Sequence, residues 1–172
     1  DDGSTTTTVT NKNTGTVTET TKYEDGSTLV VKSEKDGTVT TTENRADGVK
    51  IRVVDEPGED VKVTVTVPQN VDETIVTVPV DVDYGMVAVD ADTGEIISLS
   101  VPTEDGMLVQ VDKTTDLLIV DNAKEFEDTD GHWAEDAIDY ASAHELFAGT
   151  TEDTFAPDNT MTRAMLVTVL AR

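Results

Sequence analysis

The chain changes its pattern of apolar and polar positions twice. Residues 1–48 are dominated by Thr and hold few large apolar side chains. Residues 49–124 place Val at alternating positions, the period of a strand with one buried face. Residues 125–172 contain five of the seven aromatic residues and space their apolar positions like a helix. We therefore predict a mainly β fold with a C-terminal α-helical hairpin, divided at these boundaries into three domains.

The first zone, residues 1–48, repeats with a period of eleven residues. Glycines recur at positions 15, 26, 37 and 48, and Asp precedes the last three. Asp-Gly between β-branched segments is typical of hairpin turns, so we predict an antiparallel meander. Few apolar positions lie between the turns, among them Val17, Leu29, Val31 and Val39. Such a sheet cannot close a core of its own, so we expect a single-layer ribbon or stalk; a disordered Thr-rich linker is the alternative.

The second zone, residues 49–124, predicts a small β-sandwich-like domain of five to seven strands. Alternation is clearest over 61–67, and further strands are predicted over 75–80, 86–90, 95–101, 107–111 and 117–120. Polar turns separate these runs, as in small sandwiches and barrels. Pro79 lacks a backbone N–H and therefore places the run 75–80 at a sheet edge.

The third zone, residues 125–172, predicts two amphipathic helices. The first is expected over 133–145, with Gly149 as its C-terminal stop. Its apolar stripe would consist of Ala134, Ala137, Ile138 and Ala141. Thr162 is a suitable N-cap for a second helix over 163–172. That helix would present an apolar face of Met165, Leu166, Val169 and Leu170.

Charge and composition exclude several function classes. Lys and Arg number 12 against 36 Asp and Glu, which gives a net charge of −24. Such a field repels phosphate backbones and anionic membranes, so we expect no nucleic-acid partner and no membrane insertion. The chain has no cysteine, which excludes disulfides, thiolate metal sites and Cys nucleophiles. No apolar run is long enough to span a bilayer, and any signal peptide is expected to have been removed already.

The last quarter of the chain resembles an S-layer homology (SLH) repeat. The order and spacing of several short motifs carry the resemblance: Phe126-Glu127-Asp128, His132-Trp133-Ala134, Ile138, Gly149, Phe155-Ala156-Pro157, Thr162-Arg163-Ala164 and Leu170-Ala171-Arg172. The resemblance implies a helix–loop–helix unit, usually in three tandem copies that pack as a pseudo-trimer. It also implies binding of secondary cell-wall polysaccharide, often bearing pyruvate ketals, and anchoring of exoproteins to the wall. This chain shows one copy.

One position departs from the family pattern. The Thr-Arg-Ala motif is commonly followed by Glu or Gln, which would complete a capping box with the N-cap Thr. Met165 occupies that place here. We therefore expect the Thr162 half of the cap to survive and Met165 to pack instead.

The resemblance implies a polysaccharide site formed by Arg163, Trp133, Asp128, Gly149 and Thr162. Arg163 would bind an anionic ketal, since a guanidinium grips a carboxylate with two parallel hydrogen bonds; pairing with a nearby acid is its alternative role. Trp133 would stack on a sugar ring, although we slightly favour a role as an anchor of the small core. Asp128 would cap the first helix or join the groove, and we favour capping.

No metal or catalytic motif stands out. The acidic stretches 90–95 and 128–131 suggest a calcium loop, but Gly94 and Glu95 occupy positions five and six, which breaks the EF-hand pattern. We interpret both stretches as turns, expect no cofactor and leave weak Ca²⁺ binding open. His132 and His144 do not form a zincin motif, and no nucleotide or hydrolase motif is present.

These patterns favour a non-catalytic, extracellular protein of a bacterial cell wall or surface layer, anchored non-covalently to secondary cell-wall polysaccharide. The alternative is a structural protein that self-assembles through its β-strands into a fibre or surface array, because Thr-rich strands with open edges can pair with other chains. An enzyme or inhibitor is the third hypothesis, and no residue pattern supports it.

Overall fold

A computed structural model of the chain describes residues 3–170, and these form eleven strands and two helices. The mainly β fold with C-terminal helices is confirmed. The elements are β1 (Thr5–Thr10), β2 (Val17–Lys22), β3 (Thr28–Ser33), β4 (Val39–Asn44), β5 (Lys50–Asp55), β6 (Val61–Thr66), β7 (Thr74–Val78), β8 (Met86–Asp90), β9 (Ser100–Thr103), β10 (Gly106–Val111), β11 (Thr115–Asp121), α1 (Glu135–Ala143) and α2 (Arg163–Leu170).

The strands form two sheets. The larger has the order β1-β2-β3-β4-β5-β6-β11-β8, and the smaller has the order β7-β10-β9. The described chain separates into two compact units. The sheet unit comprises the chain through Asp81 together with Ala88–Val120, and the helical unit comprises Val82–Val87 and the chain from Asp121 onward. The three-domain division at residues 48 and 124 stays a prediction.

The predicted meander is present as β1–β4, and three of its turns use the same chemistry. Each turn aspartate accepts the backbone N–H two residues later, at 2.8 Å for Asp25, 3.0 Å for Asp36 and 3.0 Å for Asp47. The glycine that follows each aspartate has φ between 88° and 97°, a region that a residue without Cβ adopts without strain. The Asp-Gly repeat therefore sets the hairpins because one residue accepts a backbone donor and the next takes the left-handed conformation.

The meander is a single layer. No residue from 3 to 48 is buried, and burial begins at Val49. β4 pairs antiparallel with β5, from Val39 opposite Asp55 to Asn44 opposite Lys50, so the meander continues into the strands that follow it. The ribbon is therefore a continuation of the larger sheet, and buried side chains begin only after β4.

The core of the sheet unit comes from the alternate positions of the Val-rich strands. In the larger sheet, Val63 lies between Val53 and Leu117. In the smaller sheet, Val76 pairs with Val109, and Val78 with Met107. The apolar side chains buried in this unit are Val49, Ile51, Val53, Val63, Val65, Val76, Val78, Ala88, Met107, Val109, Val111, Leu117 and Ile119. Burying a Val or Leu side chain stabilises a fold by roughly 1.5–3 kcal/mol.

The seven strands β5–β11 lie at the upper end of the predicted five to seven, with one correction. The run 95–101 does not form one strand: Ile96 makes an isolated bridge to Val89, and β9 begins only at Ser100. The tight turn at Asp90–Gly94 permits that single bridge, and the chain then bends at Ser98 and Leu99 before β9 joins β10. The predicted edge position of the strand before Pro79 is confirmed, because β7 lies at the edge of the smaller sheet.

Helix α1 is shorter than predicted, and its buried stripe is different. Its buried residues are Ile138, Ser142 and Ala143, whereas Ala137 is exposed. The predicted stop at Gly149 is wrong. The helix ends at Ala143 in a Schellman motif, in which the N–H of Leu146 donates to the Ala141 carbonyl at 2.9 Å and the N–H of Glu145 donates to the Ser142 carbonyl at 3.0 Å. Glu145 takes the left-handed position with φ 58°.

Helix α2 begins where predicted. Thr162 Oγ1 accepts the Met165 backbone N–H at 3.2 Å, so the Thr half of the cap is formed. Met165 is 48% exposed, and α2 buries none of its described residues. The predicted end of the helix, at Ala171 and Arg172, lies outside the described residues.

Candidate functional site

Asp128 lies before α1 but does not cap it, which corrects the favoured interpretation. Its Oδ1 accepts the backbone N–H of Phe155 at 2.8 Å, and its Oδ2 accepts that of Ala156 at 2.7 Å. The two bonds lower the pKa of Asp128 from its ordinary value of 3.8 because they stabilise the ionised form, and the bond from Phe155 has the larger effect. Asp128 therefore fastens the long loop between the two helices to the segment before α1.

The start of α1 uses other side chains. Ala134 occupies the N-cap position and makes no side-chain cap. His132 Nδ1 accepts the Ala134 N–H at 3.2 Å, and Glu135 Oε2 reaches back to the Gly131 N–H at 2.9 Å. Glu135 and Asp136 also place negative charge in the first turn, where the helix dipole favours it.

Trp133 is an exposed aromatic surface rather than a core anchor. Its side chain is 90% exposed, so the interpretation as a core anchor is wrong. Its ring centroid lies 5.5 Å from that of His132, with the planes tilted by 39°. His132 Nε2 in turn lies 3.6 Å from Asp158 Oδ1 in the interhelical loop. The exposed Trp133 ring therefore lies beside His132, whose side chain faces the interhelical loop that Asp128 holds.

The inner side of the helical unit is an aromatic cluster. Phe126 is 7% exposed, and its ring meets that of Phe155 edge-on with centroids 5.4 Å apart. The Phe147 and Phe155 centroids are 6.2 Å apart. Gly149 abuts this cluster with φ 73°, and a Cβ there would lie 2.7 Å from Phe126 Cε1. Gly149 is therefore required by close approach and backbone conformation, not as a helix stop.

A cavity of about 310 Å³ opens beside this cluster. Its walls are mostly apolar, and Gly149 is the candidate site residue that lines it. The lining also includes Phe155, Met161, Met165 and Val169. Met161 directly precedes the cap residue Thr162, and the Met165 N–H donates to Thr162 Oγ1, so two neighbours of the α2 cap line the cavity.

Arg163 is the first residue of α2 and is exposed. Within residues 3–170, no carboxylate lies within 4.0 Å of its guanidinium. Other basic side chains do form ion pairs within that distance, among them Arg45 with Asp47 and Lys62 with Glu56. The alternative role, pairing with a nearby acid, is therefore absent from the described structure. Arg163 presents a charge that neither Asp128 nor Asp158 neutralises.

The five candidate residues occupy three places. Asp128 and Trp133 flank His132 before α1, Gly149 lies in the cavity wall, and Thr162 and Arg163 begin α2. Sequence reasoning missed Ala156, which has φ 63° and is held by Asp128, and Asp158, which faces His132. No sequence signal marks a left-handed Ala.

The acidic stretch 90–95 forms a turn. Asp90 Oδ1 accepts the N–H groups of Asp92 and Thr93, both at 2.9 Å. Both bonds lower the pKa of Asp90, and the bond from Thr93 has the larger effect. Across residues 3–170, no group of three or more His, Asp or Glu side chains is arranged to hold a metal ion.

Comparison with known families supports the resemblance. A family model for the S-layer homology domain matches residues 125–164. Residues 125–164 thus match the SLH domain, which is a cell-wall-anchoring module and is not catalytic, and the match indicates a location at the cell surface or cell wall. SLH domains bind secondary cell-wall polysaccharide. No curated protein and no solved structure matches the chain. No helix in the described part is long and apolar enough to cross a membrane.

Proposed function

We propose that the protein anchors non-covalently to an anionic secondary cell-wall polysaccharide through Arg163 and Trp133. The observation that carries the proposal is the exposed Arg163 guanidinium without a carboxylate partner among residues 3–170. Residues 126–172 carry ten acids, so an unpaired cation at the start of α2 is a local exception. The N-terminus of a helix adds partial positive charge at the same place.

The other candidate residues position the contact. Thr162 fixes the first turn of α2 through its bond to the Met165 N–H. Asp128 holds the loop through Phe155 and Ala156. Trp133 offers a flat apolar surface against the C–H face of a sugar ring. In this proposal Arg163 and Trp133 touch the polymer, while Asp128, Gly149 and Thr162 shape the surface.

The test is binding of the whole chain to purified, pyruvylated wall polysaccharide in sedimentation assays. Arg163→Gln should weaken binding by about ten- to a hundredfold, the range for losing a charge-assisted bidentate contact. Lys124→Gln is the matched control, since it removes one positive charge from the same unit. Equal losses in the two variants, or unchanged binding after Arg163→Gln, would remove Arg163 from the site.

A second candidate function, self-assembly into a fibre or array, is favoured by β1. Within residues 3–170 this strand pairs only with β2, so its other edge is open. All six of its residues are exposed, five of them are Thr, and none is charged or Pro. Natural edge strands usually carry charge, Pro or a bulge that prevents such pairing.

Self-assembly has a separate test that uses no polysaccharide. Sedimentation velocity over a concentration series should show larger species for the parent chain. Val9→Lys places a charge on the open strand and should return the chain to the smallest species. Concentration-independent sedimentation of the parent chain would exclude this function, whatever Arg163→Gln does to polymer binding.

A further inference from the structure

Strands β2–β6 of the larger sheet carry their positive and negative side chains on opposite faces. Opposed partners on neighbouring strands always have residue numbers of the same parity, so even and odd residues occupy opposite faces. On these five strands, the even-numbered face carries every Lys and Arg and no acid. On the next strand of the same sheet, Asp116 of β11 lies on this face, opposite Thr64. We call the even-numbered face of β2–β6 the cationic face, and its charged residues are Lys22, Lys32, Lys50, Arg52 and Lys62. The odd-numbered face carries Glu19, Glu43 and Asp55 and no cation.

The cations of this face are accessible. All five are exposed. Lys32 pairs with Glu34, and Lys62 lies 3.3 Å from Glu56 Oε2. In the described part of the chain, no carboxylate lies within 4.0 Å of the other three, which are Lys22, Lys50 and Arg52. In a chain of net charge −24, three unneutralised cations on one sheet face are a marked local departure.

The cations are arranged on a regular grid. Lys22 and Lys50 belong to one cross-strand row, connected through Thr28 and Asn44. Three strand spacings separate them, roughly 14 Å. Lys32 and Lys62 are three strands apart in another row, connected through two intervening residues.

Threonine occupies most remaining positions of the cationic face. These residues are Thr18, Thr20, Thr28, Thr40, Thr42, Thr64 and Thr66. A Thr hydroxyl both donates and accepts hydrogen bonds, so it suits a ligand rich in hydroxyl groups. Lys and Arg supply charge-assisted bonds to carboxylate or phosphate oxygens. The face therefore combines the two contacts that an anionic, hydroxylated chain requires.

We infer that the cationic face binds an extended anionic glycopolymer, a chain of sugar or polyol units bearing carboxylate or phosphate groups. This site is additional to the proposed contact at Arg163, because it lies in the sheet unit. A second copy of the chain fits the face less well. Apart from its three acids, the opposite face carries half-buried apolar side chains at Val17, Leu29, Val31 and Val39, which a hydrated Lys and Thr surface would not cover.

The range of the interaction follows from the overall charge. The acidic chain repels a polyanion at long range, but salt screens charges beyond about 8 Å at physiological ionic strength. Contact on the cationic face therefore depends on Lys22, Lys50 and Arg52 themselves. Binding should weaken as salt is added, since exposed charge pairs are screened.

The test measures binding of the whole chain to immobilised polygalacturonate and to poly(glycerol phosphate), with neutral dextran as the uncharged polymer. The two anionic probes distinguish a carboxylated from a phosphorylated ligand. We expect the combined variant Lys22→Gln, Lys50→Gln and Arg52→Gln to weaken binding to at least one probe by about tenfold. The same loss should appear when these three substitutions are made in the Arg163→Gln background, which separates the cationic face from the contact at Arg163.

A matched variant controls for net charge. Lys12→Gln, Lys35→Gln and Lys113→Gln together remove the same charge from loops outside the cationic face. This control should bind within about twofold of the parent, and both triple variants should keep the parental circular dichroism spectrum. Equal weakening in the two triple variants, or no binding of the parent to either anionic probe, would overturn the inference. Loss of self-association instead of polymer binding in the first variant would assign the face to a second copy and overturn it too.

Discussion

Asp128 holds Ala156 in a left-handed conformation. Asp128 Oδ2 accepts the Ala156 N–H at 2.7 Å while Ala156 has φ 63°. Left-handed residues other than Gly are strained, because Cβ crowds the following carbonyl. The neighbouring bond from the Phe155 N–H, at 2.8 Å, makes the carboxylate a two-point clamp. The family motif that contains Asp128 thus acts on a loop 28 residues away.

The first prediction concerns this clamp. Asp128→Asn should lower the thermal midpoint of the helical unit at pH 7, because an amide keeps one acceptor oxygen and presents an N–H to the second donor. The pKa of Asp128 is lowered in the folded chain, so its stabilising effect is present above the unfolded value near 3.8 and is lost as pH falls through the folded value. Thermal unfolding monitored at pH 7 and pH 2.5 measures this: the difference between the two chains should be smaller at pH 2.5 than at pH 7.

The matched variant acts on the other partner. Ala156→Gly keeps the N–H that Asp128 binds and removes the left-handed strain. It should stabilise the unit by about 0.5–1 kcal/mol, the strain relieved less the added freedom of Gly in the unfolded chain. If Ala156→Gly destabilised the unit as much as Asp128→Asn, the left-handed conformation of Ala156 would not be a source of strain in the folded unit.

The second prediction concerns the end of α1. Glu145 occupies the left-handed position of the Schellman motif, where Gly is preferred, and places negative charge at the carboxyl end of the helix. Glu145→Gly should therefore stabilise the helical unit by about 0.5–1 kcal/mol, measured by chemical denaturation. Glu145→Ala is the control: it removes the charge but keeps Cβ, so it should give a smaller gain. Equal gains would show that charge alone matters there.

Two glycines of the sheet unit give a third, paired prediction. Gly106 begins β10 with φ 128°, and a Cβ there would lie 2.1 Å from the Val78 carbonyl oxygen. Gly94 has φ 73°, and a Cβ there would meet nothing within 4 Å. Gly106→Ala should cost about 3 kcal/mol or more, because backbone must move, whereas Gly94→Ala should cost about 1–2 kcal/mol for conformation alone. Urea denaturation of both variants measures the difference, and similar costs would contradict the close approach of β7 to Gly106.

Local chemistry made part of this structure predictable. Asp25-Gly26 and its repeats determine their own turns, since acceptor and left-handed residue stand side by side. Alternation at Val61, Val63 and Val65 likewise fixes which face is buried. Thr162 could be identified as a cap because its partner, the Met165 N–H, lies three residues away.

The remainder depends on contacts that are distant in sequence. Asp128 looked like a helix cap because capping is the usual local role of an acid before a helix, but its donors are on Phe155 and Ala156. The interpretation of Trp133 as an anchor rests on the usual burial of Trp, yet its side chain is 90% exposed and Phe126 is buried instead. The prediction of a helix stop at Gly149 rests on the usual role of Gly, whereas Glu145 takes the left-handed position at the end of α1 and Gly149 makes room for the Phe126 ring. The five candidate residues stay a prediction, and the sequence alone could not show that Trp133 and Arg163 are exposed whereas Asp128 holds the interhelical loop.

The last prediction is a pH dependence at Asp139 on α1. Partial burial raises the pKa of Asp139 above 3.8, and the negative charges of Glu135, Asp136 and Asp83 raise it further. A raised folded pKa means that the folded chain binds this proton more tightly than the unfolded chain does. The ionised group therefore destabilises the helical unit at pH 7, and that penalty disappears as pH falls from the folded pKa towards the unfolded one. Asp139→Asn should raise the thermal midpoint at pH 7 and give no gain at pH 3. Glu152→Gln, which removes an exposed acid outside this group, is the control: an equal gain there would mean that net charge alone, and not the crowding on α1, sets the effect.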